Sequence, residues 1–406
     1  MYADEPTPGL GQVYKGTMNS PASHAINPRT LQLHALGQSL WLDNITRSLL
    51  DSGTLARYIA ELSVTGLTSN PTIFEHAIAG GTAYDASIVA LDAAGLAGEE
   101  LLFEIALQDL RRAADLFRPA YDASGGVDGW VSLEVSPLLA DNTAHTIRAA
   151  ARLHERAGRP NVFIKIPGTP EGLRAVEEAV FDGVPVNVTL LFSTEQYRAA
   201  AAAYLRALER RLAAGLHLKV ALVASLFVSR WDVAVQDSVA PEFRNRLGIA
   251  VAMQTYSAHI EWLTSDRWKR LAASGARPQR LLWASTGVKD PAAADTLYAQ
   301  ALAAAGTINT LPEKTLLAFA DHGEVDGGLP ADGGHAEDVQ QECRRQGVNL
   351  DALALRLQRE GVEAFALSWH ALLAVIREKS PSQASAQRGT RAPLVQGQPE
   401  QRSPQQ

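Results

Sequence analysis

The sequence predicts an α/β protein folded as one (β/α)8 barrel of the TIM type, with extra helices and disordered termini. Three observations carry this prediction. Short β-branched or apolar runs alternate with longer Ala/Leu/Arg/Glu segments of helical period, and eight such alternations follow one another. The 406 residues suit a single barrel of roughly 250 residues with insertions and tails. An open doubly wound sheet would normally carry a glycine-rich turn after its first strand, and none is present.

Residues 1–28 are rich in Pro, Gly and Ser without any period and read as a flexible arm. Residues 381–406 are Gln, Ser, Pro and Arg with almost nothing to bury, which reads as a disordered tail. Between them, 29–380 is expected to form the catalytic barrel. Its candidate strands are 39–44, 64–69, 129–135, 162–167, 184–192, 219–227, 280–286 and 306–311. The intervening helical segments are 46–61, 72–93, 99–118, 141–158, 171–180, 194–214, 291–305 and 313–320, with longer ones at 241–274 and 349–379. Ser193 with Gln196 forms a capping box, and Thr169-Pro170 reads as N-cap followed by first helical residue. Gly158, Gly215 and Gly306 stand where helices should stop.

Strand parity carries the chemistry, because alternate residues of a barrel strand face the outer helices and the interior. The interior set gathers Trp41 and Asp43; Gly66, Thr68 and Asn70; Ser132 and Glu134; Phe163 and Lys165; Asn187 and Thr189; Val223, Ser225 and Phe227; and Trp283 and Ser285. In these seven strands the inward parity carries a polar group near the C-terminal end, where barrel active sites form. Only seven of the 37 basic residues are lysines, so a lysine inside an apolar strand stands out. Burial drives an amine toward its neutral, nucleophilic form, which can attack a carbonyl. Glu134 and Asp43 could then move protons during imine formation and carbon–carbon cleavage. Thr189 could hold a water, and the asparagines could bind substrate hydroxyls. Taken singly, each residue has a blander reading, and Lys165 paired with Glu134 is the plainest of them.

Composition excludes other classes. A net charge of -7 offers no basic field for nucleic acid or an anionic membrane surface. One cysteine, Cys343, allows no internal disulfide or thiolate zinc site and fits a reducing, cytoplasmic setting. No apolar run of about 18 residues suggests a membrane span. The acidic run 321–326 reads as a solvated loop, the histidines do not cluster, and no metal or organic cofactor is expected.

These residues fall in segments that resemble the transaldolase family. They are W-L-D-N at 41–44, T-G-L-T-S-N-P-T at 65–72, V-S-L-E-V-S-P at 131–137 and N-V-F-I-K-I-P-G-T at 161–169. P-V-N-V-T-L-L-F-S at 185–193, S-L-F-V-S-R at 225–230 and W-A-S-T-G at 283–287 follow in family order. The resemblance spans about 31–375 and is similar to the longer bacterial subgroup. It implies a barrel with the Schiff-base lysine, Lys165, on the fourth strand and an acid/base pair of Asp43 and Glu134. It further implies that Thr68, Asn70, Asn187, Thr189, Ser225 and Phe227 contact water or substrate and that Arg230 holds the substrate phosphate. Transfer of a dihydroxyacetone unit between phosphosugars is the activity implied, by a monomer or homodimer. Better-known members carry a second phosphate arginine after the strand-seven serine, here Ser285. This chain reads A-S-T-G-V-K there, with Lys289 the nearest cation. An aldolase that releases the three-carbon fragment and a non-catalytic phosphosugar-binding barrel are the competing readings.

Overall fold

Eight parallel strands close on themselves in chain order in the computed structural model, which describes residues 25–382; the expected arm before 25 and tail after 382 lie outside the described residues. The described chain begins with α1 (Pro28–Ala35), whose N-terminal amides bond the Asn27 side chain. β1 (Ser39–Leu42), α2 (Arg47–Asp51), α3 (Thr54–Glu61) and β2 (Val64–Thr68) follow. Next come α4 (Pro71–Ala79), α5 (Asp85–Ala93), α6 (Gly98–Ala123) and β3 (Trp130–Glu134). The central units are α7 (Thr143–Ala157), β4 (Val162–Pro167), α8 (Pro170–Phe181), β5 (Val186–Leu191), α9 (Thr194–Ala213) and β6 (Leu222–Phe227). Short α10 (Ser229–Val235) leads to α11 (Leu247–Thr264), α12 (Asp266–Ala273) and β7 (Arg280–Ala284). The chain continues through α13 (Leu297–Ala301), β8 (Ile308–Leu311), α14 (Glu313–His322), α15 (Ala336–Arg345) and α16 (Leu350–Lys379).

Local chemistry explains the boundaries. The capping box closes in both directions, with Ser193 and Gln196 each satisfying the other's backbone amide. Thr169 caps α8 ahead of Pro170, and Gly158 ends α7 in left-handed backbone. The segments expected as single helices at 46–61, 72–93 and 241–274 are each broken in two. Gly53 breaks the first with its left-handed φ of 72°, and Ser265 breaks the third by capping α12. The segment 291–305 is helical only over α13, and α1, α10 and α15 were not anticipated. α6 runs beyond 118 through Pro119.

One parity assignment is corrected. Leu282 pairs beside Ser225 and Ala284 beside Phe227, so Leu282 and Ala284 face inward, while Trp283 shares the helix-facing side with Asn309. β7 ends at Ala284, and Ser285 turns into left-handed backbone at φ 54°. Counting alternation back from Ser285 therefore assigned the wrong face.

Toward the N-terminal end an aromatic layer fills the barrel interior. Trp130 stacks on Phe163 with centroids 4.1 Å apart, and Trp41 lies 6.2 Å from Phe163. Gly66 makes room for this layer: a Cβ there would stand 2.6 Å from the Trp41 ring and 2.7 Å from the Trp130 carbonyl oxygen. Below, Asp128 accepts from Trp41 Nε1 (2.9 Å) and from Ser39, and Arg280 donates to Ser39 Oγ (2.8 Å) and the Thr307 carbonyl (2.9 Å). A cavity of about 370 Å³ remains beneath this layer, bordered by Ser39, Asp128 and Arg280, and the larger open space lies at the other end of the barrel. No described helix is long and apolar enough to cross a membrane.

Candidate active site

A cavity of about 910 Å³ opens at the C-terminal end of the barrel. Asp43, Thr68, Asn70, Lys165, Thr189, Ser225, Phe227, Arg230, Ser285 and Lys289 all line it. Glu134 and Asn187, the other two residues singled out from the sequence, lie behind its wall.

Lys165 and Glu134 are register partners on β4 and β3, each only 6% exposed, and the Glu134 carboxylate is in direct contact with Lys165 Nζ. Nζ also donates to the Ser69 carbonyl oxygen at 3.1 Å, and the Phe365 ring of α16 lies 6.0 Å away. Burial holds the Glu134 carboxyl above its ordinary pKa; the lysine opposes that shift and the charge of Asp43 adds to it. The contact gives Lys165 and Glu134 a direct path for proton exchange at the edge of the cavity.

Asp43 follows β1, half-buried, with its backbone amide bonded to the Leu311 carbonyl at 2.8 Å. Thr68 Oγ1 donates to Asp43 Oδ1 at 2.8 Å and Asn70 Nδ2 to Oδ2 at 3.2 Å. Thr68 also meets Thr310 Oγ1 at 2.8 Å, a cavity-lining hydroxyl that parity reasoning on the first seven strands did not reach. Burial raises the Asp43 pKa, while Lys165, the Thr68 and Asn70 hydrogen bonds and Lys289 pull it back. Asn70 is committed at both ends, since its Oδ1 caps α4 at the Thr72 amide (3.1 Å). Both Thr68 and Asn70 thus aim the Asp43 carboxylate.

Asn187 is fully buried beneath the cavity. Its amide donates to Ser132 Oγ (3.2 Å) and accepts from Ser225 Oγ (2.7 Å), so it fixes Ser225 and is not open to a substrate hydroxyl in this arrangement. Thr189 Oγ1 is buried at the wall with no hydrogen-bond partner among the described residues, a position suited to a bound water. Ser285 Oγ meets Ser229 Oγ at 2.9 Å.

The far side of the cavity is cationic. Arg230, on α10, lies with Cζ 5.5 Å from the Phe227 ring centre and has no hydrogen-bond or ion-pair partner among the described residues. A pairing with Asp232 is excluded, because Asp232 faces away to accept from Tyr298 Oη (2.7 Å) and the Gly248 amide (3.1 Å). Burial lowers the Arg230 pKa, and the charge of Glu360 partly offsets this. Lys289 is exposed at the rim and also unpaired; its neighbour Asp290 instead accepts from Asn245 at 2.7 Å.

Sequence reasoning missed what α16 contributes. This helix crosses the mouth, and Gln358 Nε2 ties it to the barrel by donating to the carbonyls of Gly168 (3.0 Å) and Leu190 (2.9 Å). Gly361 lets it approach closely: a Cβ there would meet Leu190 Cδ2 at 2.9 Å and Arg230 Nη1 at 3.3 Å. Arg356, Glu360 and Phe365 of the same helix line the cavity. The available signal was Gly361 itself, since a glycine inside a helical pattern marks close packing. No group of three or more His, Cys, Asp or Glu side chains among the described residues is placed to hold a metal ion.

Comparisons with known proteins agree with this geometry. The family model described as transaldolase/fructose-6-phosphate aldolase matches residues 40–376. The chain is 45% identical to a transaldolase of Saccharopolyspora erythraea over 350 residues, 84% of this chain and 95% of that one. It is 45% identical to one of Parafrankia over 362 residues, 87% and 98% of the two chains. For one of Thermobifida fusca the identity is 46% over 355 residues, 84% and 95%.

Proposed function

Because the chain belongs to the transaldolase/fructose-6-phosphate aldolase family, we propose that its transaldolase activity runs through a Schiff base on Lys165 and that phosphosugars enter with their phosphate toward Arg230 and Lys289. The observation that carries the reading is the layout of one cavity: a buried lysine against a carboxylate at one side, unpaired cations at the other.

Lys165 passes its proton to Glu134, and the free amine attacks C2 of a ketose such as fructose 6-phosphate or sedoheptulose 7-phosphate. Glu134 returns the proton to the departing C2 hydroxyl, water leaves, and the imine remains. Asp43, held by Thr68 and Asn70, takes the proton of the C4 hydroxyl. The C3–C4 bond breaks, its electrons flow into the imine, and an aldose phosphate departs. The three-carbon enamine then adds to glyceraldehyde 3-phosphate or erythrose 4-phosphate, and the steps reverse. A water at Thr189 hydrolyses the final imine. Ser225, Phe227 and Ser285 shape the wall along the substrate chain, with Asn187 holding Ser225 in place. Nothing in these steps calls for a metal or organic cofactor. The single cysteine, buried Cys343, accords with a cytoplasmic setting, and a monomer or homodimer suffices.

The test is to supply fructose 6-phosphate with and without erythrose 4-phosphate. Glyceraldehyde 3-phosphate should form rapidly only with the acceptor, together with sedoheptulose 7-phosphate. Equal triose release without it, as free dihydroxyacetone accumulates, would show a simple aldolase instead.

A further inference from the structure

α16 brings two charges of its own to the phosphate side of the cavity, and neither has a structural task that accounts for it. Arg356 and Glu360 are both about half exposed and one helical turn apart, with Nε 3.5 Å from Oε1. Both line the cavity together with Arg230 and Lys289. A basic residue placed N-terminal to an acidic one is the less favourable order for such a pair on a helix, and exposed pairs contribute little. The pair is therefore easy to open and poorly explained as helix stabilisation. The Glu360 charge also acts on Arg230, which is unpaired otherwise. Two guanidinium groups thus share one carboxylate in a cavity that Lys289 also lines, and an incoming phosphate dianion would meet that carboxylate as a like charge.

We propose that Arg356 is a further phosphate-binding residue, turning from Glu360 to the substrate phosphate, and that Glu360 stands in for the anion while the site is empty. Glu360 thereby sets how strongly phosphorylated sugars are preferred over unphosphorylated ones. The inference rests on the phosphate orientation proposed above. A planar guanidinium can engage two phosphate oxygens at once, which an ammonium cannot.

The experiment measures the KM and kcat for fructose 6-phosphate and for fructose, with inorganic phosphate as a competitive inhibitor. It is run on the full chain and on Arg356→Gln, Arg356→Lys, Glu360→Gln and Arg230→Ala. Arg356→Gln should raise KM for fructose 6-phosphate and the inhibition constant of phosphate by about three- to tenfold, with a smaller change in kcat. Arg356→Lys should recover part of the loss, and Glu360→Gln should shift both constants the opposite way. If Arg356→Gln leaves both constants unchanged while Arg230→Ala raises them, this inference fails and the phosphate orientation stands. If Arg230→Ala changes neither, the orientation itself is wrong. Equal losses on both sugars in Arg356→Gln, or weaker phosphate binding in Glu360→Gln, would assign the pair a structural role and overturn the proposal.

Discussion

Replacing Gly361 by alanine separates two effects that usually move together. Alanine is better than glycine in a helix interior by about 1 kcal/mol, which favours the variant. Against this, the new Cβ would stand 2.9 Å from Leu190 Cδ2 and 3.3 Å from Arg230 Nη1. The guanidinium ends a long flexible side chain and retreats by a few tenths of an ångström at little cost. Leu190 is less free, because its backbone is in the left-handed region at φ 59° and its carbonyl is bonded to Gln358. Over-packing of this kind costs about 1–3 kcal/mol, so it matches or exceeds the helix gain. The net loss is about 0–2 kcal/mol, a fall in Tm of at most a few degrees for a domain this large. Function should suffer more than stability. A displaced Arg230 loses part of a charge-assisted contact of roughly 1.5–3 kcal/mol, which lifts KM for fructose 6-phosphate about three- to tenfold. Thermal unfolding together with kinetics on fructose 6-phosphate and fructose measures both quantities. A variant stabilised by the full helix increment, with unchanged KM for the phosphosugar, would refute the reasoning.

Three further outcomes are expected. Glu134→Gln should slow imine formation, and with it borohydride trapping, by roughly 10²–10⁴-fold, whereas Asp43→Asn should still form the imine and fail at bond cleavage; equal trapping defects would contradict this division. Burial raises the Asp43 pKa and the Thr68 hydrogen bond lowers it. If Asp43 must be ionised to accept the C4 hydroxyl proton, activity is lost as pH falls through that raised pKa. Thr68→Val removes the lowering contribution, so the acid limb of the kcat/KM profile should move to higher pH; a shift to lower pH would exclude Asp43 as the base. Residues 25–382 alone should fold and turn over like the full chain. The end is set by Ser382, whose amide and hydroxyl bond the Asp92 carboxylate, and a large loss of activity in this truncated form would mean that an end segment docks on the barrel.

The barrel and most of its cavity wall were legible in the sequence because both follow from local alternation. Strand β4 came out at its exact bounds, and Lys165, Asp43 and Thr189 reach the cavity as parity requires. Alternation fails where the backbone leaves extended geometry. Ser285 enters the cavity from a left-handed residue, and that displaced the reading of β7 by one position. Parity also assigns a face but not a depth: Asn187 points inward yet stops short, bonded between Ser132 and Ser225. The contribution of α16 was legible only as Gly361, a glycine inside a helical pattern that marks close packing. Its pattern identifies an amphipathic helix, but which turn crosses the barrel mouth depends on tertiary contacts such as those of Gln358 and Gly361.

The central claim is that Lys165 carries the substrate as an imine, and borohydride trapping tests it most directly. The protein is treated with fructose 6-phosphate and borohydride, digested, and its peptides are weighed. The account predicts a reduced dihydroxyacetone adduct on the peptide containing Lys165, and none in Lys165→Arg, whose guanidinium stays protonated and cannot attack. An adduct on another of the seven lysines, or turnover with no adduct at all, would contradict it.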